Sequence, residues 1–135
     1  IVFCVSNDHK LAEKETVTIK EMSKEQLIFF NPDSVQNQLL KMRFEMDGYK
    51  PNVVMRSSQI YTTLQFVKTG KYGCFLYTSM TDKFSGSGIT GIPLEPPIRV
   101  KIGMVWKKGK YISGDMLTFL HFTRMYYKEH PLIEK

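Results

Sequence analysis

The chain has 135 residues, 42% hydrophobic and 24% charged, the composition of an ordinary soluble globular domain with one sizeable core. No apolar run approaches the ~18 residues that suggest a membrane span; the longest blocks, such as Leu27-Ile28-Phe29-Phe30, have strand length. The net charge of +6 comes from scattered lysines. Its densest group, Lys107, Lys108 and Lys110, reads as a solvated turn, so charge alone does not make the chain a nucleic-acid binder.

The chain opens on Ile1-Val2-Phe3-Cys4-Val5, with neither Met nor a positively charged leader. That is expected of a strand met inside a larger protein, not of a secretory signal. Ile1 to Ser6 reads as a strand, followed by the polar turn Asn7-Asp8-His9-Lys10. Thr18-Ile19-Lys20-Glu21 fits a capping box and predicts a short helix to about Ser23. Leu27 to Phe30 has the unbroken apolar character of a buried parallel strand. Asn31-Pro32-Asp33-Ser34 then signals a helix start. Behind it Val35, Leu39, Met42 and Met46 predict the buried stripe, and Gly48 with Pro51 stops the helix.

The pattern repeats. Val53-Val54-Met55 reads as a strand, Ser57 and Ser58 as caps, and Ile60, Leu64 and Val67 as the next apolar stripe, ended by Gly70. Cys74 to Tyr77 is a third core strand. From Thr81 to Pro97, Gly86, Gly88 and Gly91 with Ser85 and Ser87 predict a flexible loop that Pro93, Pro96 and Pro97 stiffen. A long strand is predicted over Ile98 to Trp106, and a last helix opened by Ser113, with Leu117, Leu120 and Arg124 on successive turns. Alternation of strands and helices with short connections predicts a parallel α/β architecture.

The two cysteines, Cys4 and Cys74, each lie in an apolar strand and read as buried, reduced thiols of a cytoplasmic protein. His9, His121 and His130 are far apart and lack metal-ligand spacing, so no metal is expected. There is no nucleophile elbow, phosphate loop or dinucleotide fingerprint, and no catalytic residue or cofactor is assigned. Binding is better supported. Ligands of open parallel sheets gather at the carboxyl ends of the strands. Asn31 to Ser34, Ser57 to Gln59 and Thr78-Ser79 leave strands there, and two of these segments open helices whose first N–H groups are free to meet an anion. Ser34, Ser58, Thr78 and Ser79 carry hydroxyls that can orient it. Each of these residues taken alone serves equally as a plain cap.

The order of these pieces resembles the regulatory domain of LysR-type bacterial transcriptional regulators. Val5-Ser6-Asn7-Asp8-His9-Lys10-Leu11-Ala12 is similar to the family's strand ending in an Asp-His-Pro-Leu-Ala turn, with Lys10 in place of proline. Phe44-Glu45-Met46-Asp47-Gly48-Tyr49-Lys50-Pro51 resembles its Phe-x-x-x-Gly-Phe-x-Pro segment. Val67-Lys68-Thr69-Gly70 with Gly73 resembles its Val-x-x-Gly-x-Gly element, with one extra residue between the glycines. Thr78 stands where the next strand normally ends in proline, and Ile92-Pro93-Leu94 with Val105-Trp106 matches the return into the last strand.

The resemblance implies a periplasmic-binding-protein-like (type 2) α/β fold in which a small effector sits between two lobes. Residues 1–97 would be a hinge strand plus one complete lobe. Residues 98–135 would be a crossover strand and a C-terminal helix of the other lobe, which is largely missing. It implies an effector site at Ser6 (hinge), Asn31, Asp33, Ser34, Ser58, Thr78 and Ser79, with a small anionic effector as partner. DNA would be contacted only through an absent N-terminal helix-turn-helix, and the full-length protein would be a cytoplasmic homo-oligomer with no membrane contact. The alternatives are a periplasmic-type solute-binding protein of a transport system, or an enzyme on the same fold using Asp33.

Overall fold

A computed structural model describes residues 1–84 and 86–131; Ser85 of the predicted loop lies outside them. It divides into two units, Ile1–Val100 and Lys101–Lys135.

The first unit is a six-stranded sheet in the order β2-β6-β1-β5-β3-β4. The strands are β1 (Val2–Ser6), β2 (Val17–Thr18), β3 (Gln26–Phe29), β4 (Val53–Arg56), β5 (Tyr72–Leu76) and β6 (Ile89–Glu95). β3 pairs in parallel with β4 and β5, and β2 with β6, whereas β1 runs antiparallel between β5 and β6. The predicted parallel core is therefore present, with a single reversed strand through its middle.

Successive side chains of a strand point to opposite faces, and both faces here are covered. On one, Phe3, Val5, Leu27, Phe29, Phe75, Ile92 and Leu94 pack with Leu40 and Phe44 of α2 (Val35–Met46) and with α1 (Ile19–Met22). On the other, Val2, Cys4, Ile28, Cys74 and Leu76 pack with Leu64 and Val67 of α3 (Ile60–Lys68), and a one-turn helix, α4 (Thr78–Thr81), follows β5. Burial on both sides is why the strands read as unbroken apolar blocks.

Local signals placed the helix ends. Thr18 and Glu21 form the reciprocal capping box of α1. Ser34 Oγ accepts from Asn37 N–H at the start of α2. Gly48 (φ 76°) and Gly70 (φ 78°) take the left-handed conformation just beyond α2 and α3. Gly73 has a tertiary reason: a Cβ there would collide with the Phe3 ring packed across the strand.

Three expectations are corrected. Of the predicted α2 stripe, Val35, Met42 and Met46 are 57%, 50% and 75% exposed, and Leu39 alone packs against the core. The helix instead buries Gln36, Asn37, Leu40 and Phe44, because its first turn is tied to the sheet by polar bonds. The segment read as a flexible loop contains β6, which β1 recruits along five register positions from Ser6↔Ile89 to Val2↔Pro93. Conversely, Ile98 to Trp106 forms no strand. Ile102 and Val105 are exposed, so no described neighbour supplies the ladder that a strand requires.

In the second unit, α5 (Gly114–Glu129) starts at the Ser113 cap, whose Oγ accepts from Met116 N–H at 3.3 Å. It displays exposed Leu117, Phe119 and Phe122, and near its end the Tyr126 and His130 rings stack at 4.5 Å. No helix among the described residues is long and apolar enough to cross a membrane.

Candidate functional site

Because β3, β4 and β5 run in parallel, their carboxyl ends share one sheet edge. There Phe29 leads through Asn31–Ser34 into α2, Arg56 leads through Ser57–Gln59 into α3, and Leu76 leads into Thr78. The sequence placed Asn31, Asp33, Ser34, Ser58, Thr78 and Ser79 at this edge, and the topology brings their segments together there. Ser6 is not among them. β1 runs the other way, so its last residue pairs with Ile89 at the opposite edge. Ser6 is buried, and its Oγ accepts from Asp8 N–H at 3.3 Å, closing the turn after the strand. Ser6 therefore lies at the other end of the sheet from the Asn31, Ser58 and Thr78 segments. Ile1, at the other end of the strand, donates from its nitrogen to the Ile98 carbonyl at 2.9 Å.

The edge residues divide by what already occupies them. Asn31 Oδ1 accepts from Asp33 N–H at 3.2 Å, and the Asn31 carbonyl accepts from Ser34 N–H at 3.0 Å, so Asn31 builds the turn. Ser34 is consumed as the α2 cap. Ser57 Oγ accepts from Gln59 N–H at 3.1 Å. By contrast, the exposed hydroxyls of Ser58, Thr78 and Ser79 have no hydrogen-bond partner among the described residues. The Asp33 carboxylate is exposed.

Both helices that begin here have N–H groups to spare. In α2 the Ser34 hydroxyl serves only Asn37, and in α3 the N-cap Gln59 makes no side-chain cap bond at all. A helix start with uncapped N–H groups carries a partial positive charge, worth roughly 0.3–1 kcal/mol toward a nearby anion. Arg56, the last residue of β4, adds a full positive charge. Its guanidinium stands 5.9 Å from the centroid of the Phe29 ring, within reach of a cation–π contact.

Sequence reasoning missed three residues here. Gln36 is buried and donates from Nε2 to the Phe75 carbonyl at 2.7 Å, tying the start of α2 to the end of β5. Asn37 donates from Nδ2 to the Pro32 carbonyl at 3.3 Å, while its Oδ1 is buried with no partner among the described residues. Arg56 is the third. No local pattern marks Gln36 or Asn37, though Leu40 and Phe44 four residues apart pointed to the same face. Among the described residues no group of three or more His, Cys, Asp or Glu is placed to hold a metal.

The family model described as the LysR substrate binding domain matches residues 1–128. The uncharacterized HTH-type transcriptional regulator YybE of Bacillus subtilis is 28% identical over 129 residues, which is 93% of this chain and 42% of YybE, so the chain spans less than half of that relative. The regulatory domain of CcmR from Synechocystis PCC6803, solved with 2-PG, superposes with a TM-score of 0.75 at 19% identity, covering 93% of this chain and 61% of that one. The effector-binding domain of QuiR, solved with shikimate, gives 0.69 at 18% identity, covering 96% and 61%.

Proposed function

The chain belongs to the LysR substrate-binding domain family, with its periplasmic-binding-protein-like fold, and on that premise we propose that it is the ligand-sensing part of a DNA-binding transcriptional regulator whose small anionic effector docks at the carboxyl edge of β3, β4 and β5. The family match does not favour the transport alternative. The observation that carries the site is local. Three unengaged hydroxyls (Ser58, Thr78, Ser79), two helix starts with free N–H groups and the Arg56 cation share one edge. An anion gains from every one of these; the helix starts and Arg56 oppose a cation, which the hydroxyls and the Asp33 carboxylate alone would serve. That CcmR and QuiR were solved with 2-PG and shikimate supports an acidic metabolite as the class of effector.

In this reading the effector acts by differential affinity, favouring one arrangement of lobes and so of the DNA-contacting region attached to them. A switch from nearly all one state to nearly all the other needs about 5.5 kcal/mol. Helix ends and single hydroxyls on one lobe fall short of that, so the opposite lobe must contribute contacts. Residues 98–135 belong to that other lobe: the exposed run from Lys101 to Trp106 and the apolar face of α5 are covered by segments of the whole regulator. DNA is met only through its helix-turn-helix region. The exposed Val35, Met42 and Met46 of α2 support homo-oligomerisation through this helix. The protein works in the cytoplasm and catalyses nothing.

The test is a thermal-shift screen of small carboxylates and phosphate esters against the full-length regulator. A ligand at about 100 times its dissociation constant adds roughly 2.7 kcal/mol of stability. Stabilisation that disappears in Thr78→Val and Ser58→Ala supports this edge. A hit whose affinity is untouched by both substitutions places the effector elsewhere.

A further inference from the structure

The chain carries two cysteines and no others, and the fold sets them face to face. Cys4 of β1 and Cys74 of β5 are direct register partners in the antiparallel pair. Both belong to the cluster beneath α3, and both are free and fully buried. Directly opposed antiparallel residues have Cα atoms about 4.5–5.5 Å apart, inside the roughly 4.4–6.8 Å range that disulfides span. Two thiols so placed need no backbone rearrangement to join. We propose that Cys4 and Cys74 form an oxidative modification site, closing to a cross-strand disulfide that clamps β1 to β5.

The oxidant is a hydroperoxide small enough to reach the interior as α3 lifts from the sheet, hydrogen peroxide being the simplest. The Cys4 thiolate attacks the peroxide O–O bond, giving a sulfenic acid and hydroxide, which takes up the proton that the thiol had shed. The Cys74 sulfur then attacks the Cys4 sulfur, and the sulfenic oxygen leaves as water with the Cys74 proton. In sum, two thiols lose two electrons and two protons, and one hydrogen peroxide becomes two waters. The hydrogen bond with the Cys4 thiol, with burial, pushes the Cys74 thiol well above its usual range, so Cys74 rests as a thiol and sheds its proton only as it attacks the sulfenic acid. The bond would link the strand that ends at the turn after Ser6 with the strand that leads into Thr78, so oxidation stiffens the sheet directly behind the ligand edge.

The reduced full-length regulator is treated with hydrogen peroxide in native buffer, alkylated and mapped by mass spectrometry without reduction. The expected product is a cross-linked peptide pair containing Cys4 and Cys74, cleaved by dithiothreitol. It should be accompanied by a rise of several degrees in melting temperature that is absent in Cys74→Ala. The proposal is overturned if both cysteines are still alkylated as free thiols after unfolding, or if they end as separate sulfinic acids. The mapping uses the unsubstituted protein, so the cross-link is read even where Cys74→Ala fails to fold.

Discussion

The two faces of the sheet are built from different material. The α2 face is aromatic: Phe3 and Phe29 both contact Phe75, with ring centroids 5.3 and 5.5 Å away, and Phe44 of α2 is fully buried in the same cluster. The buried centre of the α3 face is aliphatic and thiol-lined, with Val2, Cys4, Ile28, Cys74 and Leu76 under Leu64 and Val67, and its aromatics Phe30, Tyr72 and Phe84 pack only at the margin. The helices differ accordingly. α3 docks by its apolar stripe and by fully buried Thr63, whose hydroxyl is satisfied within the helix by the Gln59 carbonyl; that stripe is the one its periodicity announces. α2 begins with buried Gln36 and Asn37, bonded to Phe75 and Pro32, and turns its more regular apolar stripe outward. A hydrophobic stripe therefore identifies the buried face of a helix only when no polar anchor competes for its orientation.

The largest effect expected from this contrast is at Phe44. Phe44→Ala should cost about 3–5 kcal/mol, whereas Met46→Ala, on the stripe that the periodicity favoured, should stay within about 0.5 kcal/mol. Urea midpoints read both, and equal costs would mean that α2 is rotated from the orientation described. Next is Gly73→Ala. The added methyl meets the Phe3 ring on the aromatic face, and an expected loss of about 1–3 kcal/mol separates this close approach from a merely flexible glycine.

Gln36→Leu should cost about 1–3 kcal/mol, because it leaves the buried Phe75 carbonyl unpaired. Asn37→Leu removes a donor to Pro32 but also an orphaned acceptor, so its cost should be smaller. The reverse ranking would show that Asn37, not Gln36, anchors the helix start.

The smallest effect is electrostatic, in α1 on the aromatic face. The Lys14 ammonium, then the Thr18 N–H and hydroxyl, hold the Glu21 carboxyl down to about 2 from its usual 4.5. A carboxyl lowered on folding stabilises the native state fully above its unfolded value and loses that contribution as pH falls toward the folded value. Glu21 sits at the surface with its side chain 27% exposed, so solvent screens it and the loss between neutral pH and about pH 3 should be modest and weaker still in high salt. Glu21→Gln should flatten that part of the pH profile, and an unchanged slope would remove Glu21 as its source.

How much of this was legible in the sequence follows from the range of each interaction. Helix starts at Thr18, Ser34 and Ser113, and stops at Gly48 and Gly70, depend on neighbours within a few residues, and they were readable. β6 was hidden because Gly91 and Pro93 look like loop punctuation. Only pairing with β1, more than eighty residues earlier in the chain, makes that segment a strand. Ile98 to Trp106 failed for the converse reason, having strand composition but, beyond the single Ile1–Ile98 bond, no described strand to pair with. At the site, the segments Asn31–Ser34, Ser57–Gln59 and Thr78–Ser79 were legible as strand exits. That Ser6 lies apart from these segments was not legible, because nothing local in a strand reveals that it runs antiparallel to its neighbours. Gln36 and Arg56 depend on contacts with Phe75 and Phe29 that only the folded sheet creates.

The central claim is that an anionic effector docks at the carboxyl edge of β3, β4 and β5. It is tested most directly by isothermal titration of the best-stabilising acid from the ligand screen against the full-length regulator carrying Arg56→Gln, Thr78→Val or Ser6→Ala. Arg56→Gln and Thr78→Val should each weaken binding by about tenfold, the equivalent of ~1.4 kcal/mol, while Ser6→Ala at the far edge leaves affinity unchanged. Loss of binding in Ser6→Ala with full affinity in the other two would contradict the account and move the effector to the opposite end of the sheet.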